Sequence, residues 1–326
     1  MKIDFSPMEA QSVEELPKGK AWVYEPKWDG FRCLARKKGE QVSLISKSGK
    51  PLERYFPDIV ALLKEIKADF IIDGELVIFT DAGLSFSDLQ LRLHPAASRV
   101  AKLAEEQPAN FILFDLLETP KGKALSDEPL ANRRAALEGF HEKFVKTERI
   151  ELSPQTASLK TAQSWLKKMR GTIDGIIAKN SEDHYQPGER IMLKYKPLKT
   201  ADCVVGGFRY GTNSKLVGSL LLGLYDMECK LNHVGFTSSI PASEKAALTK
   251  KLEKLKGKPG FTGKAPGGPS RWSTERSAQW EPLKSELVAE VSFDHVSDNR
   301  FRHGTKLIRF RPDKAPSQCK MEQLYQ

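Results

Sequence analysis

The chain has 326 residues, 40% hydrophobic and 29% charged, with a formal net charge of +10. Such a chain has room for one large domain, and two of ordinary size with real apolar cores are expected. Its longest apolar run, GSLLLGLY at 218–225, is far below the roughly 18–20 residues of a membrane span, and no signal-peptide h-region opens the sequence, so a cytoplasmic protein that contacts no membrane is expected.

In chain order, strands are expected at AWVYEPKW, RCLARKKGEQVSLISKSG, FIIDGELVIFT, NFILFDLLE, DGIIAKN and IMLKYKP, several with period-2 alternation. Helical spacing appears at FPDIVALLKEIKA, NRRAALEGFHEKF and AQSWLKKMRG, the last with a glycine stop. Strand pairs with helices between them predict an α+β domain built on antiparallel sheets. Composition breaks at LKYKPLKTADCVVGGFRYG, which sets the expected domains at 1–199 and 200–326. The second part offers the strands CVVGGFRYG, KLVGSLLLGLYD, CKLNHVGFTS, ELVAEVSFDHV and KLIRFRPDK, with one helix at 241–256. That set suits a small β-barrel, and the OB-fold is the nucleic-acid-binding candidate. KGKPGFTGKAPGGPSRWS, at 256–273, reads as a long exposed loop whose lysines and Arg271 are candidates for DNA contact.

Charge is uneven. Residues 201–326 hold 20 Lys+Arg against 13 Asp+Glu, and residues 1–200 hold 32 against 29. A basic balance favours a polyanionic partner. The cysteines, Cys33, Cys203, Cys229 and Cys319, form no C-x-x-C pair, which argues against a disulfide framework and a cysteine zinc site. The six histidines show no ligand spacing.

Several strands carry polar residues that a core would not choose. Lys27, Asp29 and Arg32 follow one strand, Glu75 interrupts an apolar run, and Phe114–Asp115, Asp174 and Lys179 sit in others. Lys194 and Lys196, at i and i+2, share a strand face. Taken singly, each has a bland reading as a solvated strand end, a hairpin turn or plain core. Taken together, they read as a nucleotidyl-transfer site. A lysine attacks an α-phosphate only as the neutral amine, which calls for cationic neighbours or partial desolvation. Carboxylates on separate strands suit Mg2+, which takes one or two protein oxygens beside phosphates and waters. An aromatic ring stacks on a purine.

The order YEPKWDGFR, SKSGKP, DGEL, FILFDLL, DGIIAK, LKYKP, RFRPDK resembles the collinear motifs of covalent nucleotidyltransferases, specifically ATP-dependent DNA ligases, over roughly residues 5–320. LQLRLHPAASRV and FDHVSDNRFRHGTKLIRFRPDKAP resemble the small bacterial repair ligases called ligase C, relatives of the ligase module in bacterial end-joining enzymes. The resemblance implies ATP and Mg2+ (or Mn2+) as cofactors, with Lys27 as the nucleophile that forms lysyl-AMP. It puts Glu25 near the adenine, Arg32 near the ribose or the nick terminus, and Phe114 stacked on adenine. Glu75 would contact ribose or metal, and Asp174, where the family more often has Glu, the metal. Lys194 and Lys196 would bind the α-phosphate. Lys47, where the family usually has Arg, would meet the nick 5′-phosphate as a point charge without a bidentate fork. Arg311, Asp313 and Lys314, with Arg309 as a weaker member, would close over ATP and orient pyrophosphate, which implies hinge motion near 198–201.

A monomer acting on nicked duplex DNA is expected, with any end-binding or polymerase activity supplied by separate proteins. Without a DNA-encircling domain ahead of residue 1, footing on DNA should be weaker than in larger ligases. Two rival readings stay open at this point. One is an RNA ligase or another covalent nucleotidyltransferase such as a capping enzyme. The other is a non-catalytic OB-fold binder. An NAD-dependent ligase is disfavoured, because those carry a four-cysteine zinc module.

Overall fold

The run Phe70–Val77 is apolar on both faces apart from its DGE centre, and it becomes an interior strand buried along nearly its whole length. In a computed structural model that describes residues 6–81, 83–169, 172–267 and 279–325, the chain divides into two units, Met1–Lys196 and Pro197–Gln326. The division falls three residues before the 199/200 boundary that composition suggested.

The first unit begins with β1 (Ala10–Val13), β2 (Trp22–Trp28), β3 (Phe31–Lys38) and β4 (Gln41–Ser46). Next come α1 (Pro57–Glu65), β5 (Phe70–Val77), the hairpin β6 (Phe79–Thr80) with β7 (Gly83–Leu84), α2 (Phe86–Arg92) and α3 (Ala97–Glu106). It ends with β8 (Asn110–Glu118), α4 (Leu130–Phe144), β9 (Ile150–Leu152), α5 (Leu159–Lys168), β10 (Ile173–Asn180) and β11 (Met192–Tyr195). One sheet has the order β1-β11-β10-β2 and the other β4-β3-β5-β8-β9. The expectation of antiparallel sheets needs one correction. Each sheet is mixed, because β1 runs parallel to β11 and β9 parallel to β8.

Helix starts follow their local chemistry. Proline opens α1 at its first turn, where a missing N–H costs nothing. Ser85 and Ser158 cap α2 and α5, each side chain accepting from a backbone N–H three residues on. The glycine stop expected for α5, Gly171, lies outside the described residues. Helix α1 covers the second sheet with Ile59 and Leu63, and α4 with Leu137 and Phe140. Each such side chain contributes about 1.5–3 kcal/mol when fully buried. Beneath them Asp58 ties α1 to two arginines, Arg92 at the end of α2 and Arg149 ahead of β9, and also accepts the Ala109 N–H.

The second unit comprises β12 (Lys199–Tyr210), β13 (Val217–Tyr225), β14 (Leu231–Thr237), α6 (Lys245–Lys254), β15 (Glu281–Pro282), β16 (Val288–Phe293), β17 (Val296–Ser297), β18 (Arg300–Phe301) and β19 (Lys306–Phe310). Its main path, β14-β13-β12-β16-β19, is antiparallel throughout, with β15 added on β12. Closure is less complete than a barrel implies, since among the described residues the edge strands meet at a single bridge, Thr237–Thr305. Apolar clusters fill both faces, one around Cys203, Leu222 and Val291 and one around Phe208 and Leu252. The stretch expected to be an exposed loop places Phe261 in the first of these clusters, edge-on to Trp280. Arg271 lies outside the described residues.

Candidate active site

Lys27 is the penultimate residue of β2, just ahead of the Asp29–Gly30 turn into β3. A Cβ on Gly30 would lie 2.1 Å from the Leu76 carbonyl oxygen. Glycine is therefore required there because the turn presses on β5, and this brings Lys27 close to the DGEL strand. On the other side β2 pairs with β10, Gly175 opposite Lys27 and Ile173 opposite Trp28, with the register slipping at Asp174. A bulge re-aims the side chain it inserts, and here the Asp174 carboxylate meets the Lys27 Nζ at 2.8 Å. The same Asp174 oxygen accepts Lys196 Nζ at 2.7 Å.

Two ammonium groups thus converge on one buried carboxylate. Burial alone would push the Asp174 carboxyl up, but Lys27 and Lys196 outweigh it and hold it below the usual range. Lys194 lines the same cavity, and burial together with the charges of Lys27, Lys196 and Lys47 lowers its ammonium. Lys194 lies on β11 and Lys196 just past its end, so the expected strand stops at Tyr195.

The cavity is lined by the 7–10 segment, the 25–28 end of β2, Arg32, Lys47, Glu75, Phe114, Ile177, Lys179, Met192 and Lys194. Glu75 is deep enough that burial pushes its carboxyl up to about 7, against the pull of Arg32 and Lys27. Phe114 is the residue inserted where the β5–β8 register slips, so a second bulge turns its ring to the cavity. The Arg32 guanidinium carbon sits 4.5 Å and Lys179 Nζ 4.7 Å from that ring's centroid. Lys47, in the turn after β4, pairs with Glu9 at 3.0 Å and stays largely exposed.

Some expected residues are engaged elsewhere. Glu25 borders the cavity, but its carboxylate is held by Lys179 Nζ at 2.7 Å and by the Gln155 amide at 2.9 Å. Arg32 donates through Nε and Nη2 to Asp73 at 2.6 Å each. Arg309, Arg311, Asp313 and Lys314 lie in the second unit. There Arg311 donates to Asp202 at 3.0 Å and to Asp313 at 2.8 Å, and Lys314 pairs with Asp202 at 3.1 Å. Arg309 pairs with Glu290 at 2.7 Å. The Arg311 hydrogen bonds hold the Asp313 carboxyl down to about 2.

Two residues that sequence reasoning did not single out stand behind the pocket wall, Asp73 beneath Arg32 and Tyr185 on Asp73. A sequence signal existed for the first, an aspartate within the apolar FIIDGELV run. The donor set fits a hard divalent cation. Asp174 and Glu75 are carboxylates flanking Lys27, and Mg2+ needs only one or two protein oxygens where phosphates supply others. Among the described residues no group of three or more His, Cys, Asp or Glu forms a self-sufficient metal cage.

Comparison with known proteins agrees with this geometry. Residues 7–196 match the model of the ATP dependent DNA ligase domain, and residues 213–314 that of the ATP dependent DNA ligase C terminal region. The chain is 42% identical to DNA ligase C2 of Mycolicibacterium smegmatis, covering 98% of this chain and 94% of that protein. It is 40% identical to DNA ligase C of Mycobacterium tuberculosis, covering 98% and 93%. The crystal structure of the ligase domain from M. tuberculosis LigD superposes with a TM-score of 0.54 at 28% identity, over 97% of this chain and 98% of that one. From its catalytic unit through its C-terminal region, this chain belongs to the family of ATP-dependent DNA ligases.

Proposed function

We propose that this protein seals nicks in duplex DNA, with Lys27 as the carrier of AMP. The observation that carries the assignment is the convergence of Lys27 and Lys196 on Asp174 at 2.8 and 2.7 Å, beside Lys194 in the cavity wall. Lys27 Nζ attacks the α-phosphorus of ATP, a P–N bond forms, and the bond to the β-phosphate oxygen breaks to release pyrophosphate. An oxygen of the nick 5′-phosphate then displaces Lys27 from the AMP phosphorus. Finally the 3′-hydroxyl attacks the activated 5′-phosphorus, and AMP leaves.

Asp174 and Glu75 would hold Mg2+ or Mn2+, which when bound supplies charge neutralisation on the triphosphate. Lys194 and Lys196 place fixed positive charge where charge develops on the α-phosphate, the kind of preorganised stabilisation that dominates such transfers. Phe114 and Arg32 frame the nucleoside, and Lys47 takes the nick phosphate. Arg309, Arg311, Asp313 and Lys314 serve the pyrophosphate step. DNA contacts fall on the backbone, because a ligase accepts any sequence. The protein acts as a monomer in the cytoplasm, in repair, with end-binding or polymerase functions supplied by separate proteins. The LigD relative of M. smegmatis, 29% identical over 98% of this chain, is a multifunctional non-homologous end joining protein.

Incubation with α-labelled ATP and Mg2+ tests this directly. The wild type takes a covalent label, and Lys27→Ala takes none. Equal labelling of the two would overturn the assignment of the nucleophile.

A further inference from the structure

The wall of the nucleotide cavity formed by residues 7–10 belongs to a strand only at Ala10. Its preceding residues are held by other means. Met8 donates its backbone N–H to the Tyr185 hydroxyl at 3.0 Å and accepts Arg32 Nη2 at its carbonyl, 3.2 Å. Glu9 donates to the Glu189 carbonyl at 2.7 Å and accepts from the Met192 N–H at 3.2 Å. The Gln186 N–H points at the Met8 sulfur, 3.4 Å away. The loop between β10 and β11 therefore fastens the N-terminal wall residue by residue.

Tyr185 is the hub of that fastening. Its hydroxyl accepts from Met8 and donates to Asp73 Oδ2 at 2.6 Å. Asp73 is fully buried and takes the Arg32 fork on its two oxygens. The ring of Tyr185 packs with Met8, Leu34, Ile71, Leu117 and Met192. One hydroxyl thus links two things the nucleotide would touch, the Met8 wall and the guanidinium lying over Phe114.

We propose that Tyr185 is a positioning residue for the ATP step, its hydroxyl fixing the Met8 wall and, through Asp73, the Arg32 guanidinium. The inference rests on the nucleotide-site reading above. A side chain that only fills the core would leave ATP recognition untouched when its hydroxyl is removed. A positioning hydroxyl would not, because Met8 N–H and Asp73 each lose a partner and the cavity wall loses its register against Arg32.

The test is Tyr185→Phe, which keeps the ring in its apolar cluster. In self-adenylylation the KM for ATP should rise about tenfold, the effect of losing one well-placed hydrogen bond. The rate at saturating ATP, and the rate of sealing a nick that already carries 5′-AMP, should stay within about twofold of wild type. An unchanged KM would overturn the proposal, and so would a parallel fall of both steps with the melting temperature. If the variant does not fold, hydrogen exchange of the wild-type Met8 amide decides: strong protection supports the tie, and exchange at the rate of an open segment overturns it. Wild type that takes no label from ATP would sink the ligase reading instead, a different failure from a normal KM in Tyr185→Phe.

Discussion

Asp174 shows how one residue sets the chemistry of the site. A single oxygen holds two ammonium groups, so one buried carboxylate fixes both Lys27 and Lys196. Sequence alone found Lys27, Glu75, Phe114, Asp174, Lys194 and Lys196, and the fold brings Lys27, Glu75, Phe114 and Lys194 to one cavity, with Asp174 and Lys196 ion-paired at Lys27. It did not find Tyr185, because a tyrosine in a DHYQPGE loop has no periodicity or motif to mark it and acquires meaning only through partners over a hundred residues away. A second residue-scale consequence lies in the other unit. His233 is buried, and burial with the nearby charges of Arg300 and Arg209 drives its imidazole down to about 3. Its Nδ1 faces Arg300 Nη2 at 3.0 Å, so the neutral ring accepts there. A base whose folded pKa is depressed binds its proton in the unfolded chain first. Stability is therefore complete above about pH 6.5 and is lost as pH falls toward 3. By pH 5 the loss should reach about 2 kcal/mol. Melting temperatures of wild type and His233→Gln should diverge in slope between pH 7 and 5, the variant being flatter. Parallel curves would contradict this.

At the scale of elements, two β-bulges and one crowded turn build the site. The slips at Asp174 and Phe114 turn those side chains out of simple alternation, and period-2 reading of a sequence has no means of placing such slips. The β2–β3 turn that follows Lys27 packs tightly because Gly30 nests on Leu76. Gly30→Ala should cost about 1–3 kcal/mol as an overpacked contact with rigid backbone. It should also cut labelling by ATP at least about tenfold, since small displacements of reacting groups are costly. A variant that melts and labels like wild type would show that the turn has slack. The longer strands and four of the helices, α1, α4, α5 and α6, were legible from the sequence. α2 and α3 were not, because the first is seven residues long and its alternating leucines Leu89, Leu91 and Leu93 resemble a strand. The parallel pairs were also hidden. β1 meets β11 across 182 residues of chain, and local pattern carries no information about such a partner.

For the whole molecule, division of labour follows from chemistry already separated along the chain. The first unit holds the proposed nucleophile Lys27, the carboxylates Glu75 and Asp174, and the cavity-lining ring of Phe114. The second holds most of the excess positive charge, 20 Lys+Arg against 13 Asp+Glu in residues 201–326. Its Arg311 and Lys314 are held by Asp202. The composition break at LKYKPLKTADC lies within three residues of the division between the units. The incomplete closure of the second sheet was not readable, because one bridge at Thr237 and Thr305 decides it. The central claim is that AMP on Lys27 is an intermediate on the way to a sealed strand. The measurement that tests it most directly isolates the labelled protein free of ATP, adds nicked duplex, and follows both label and strand. The account predicts that label leaves the protein as strands are joined, with no more than one seal per adduct. Label that stays on the protein while the nick remains open would contradict it.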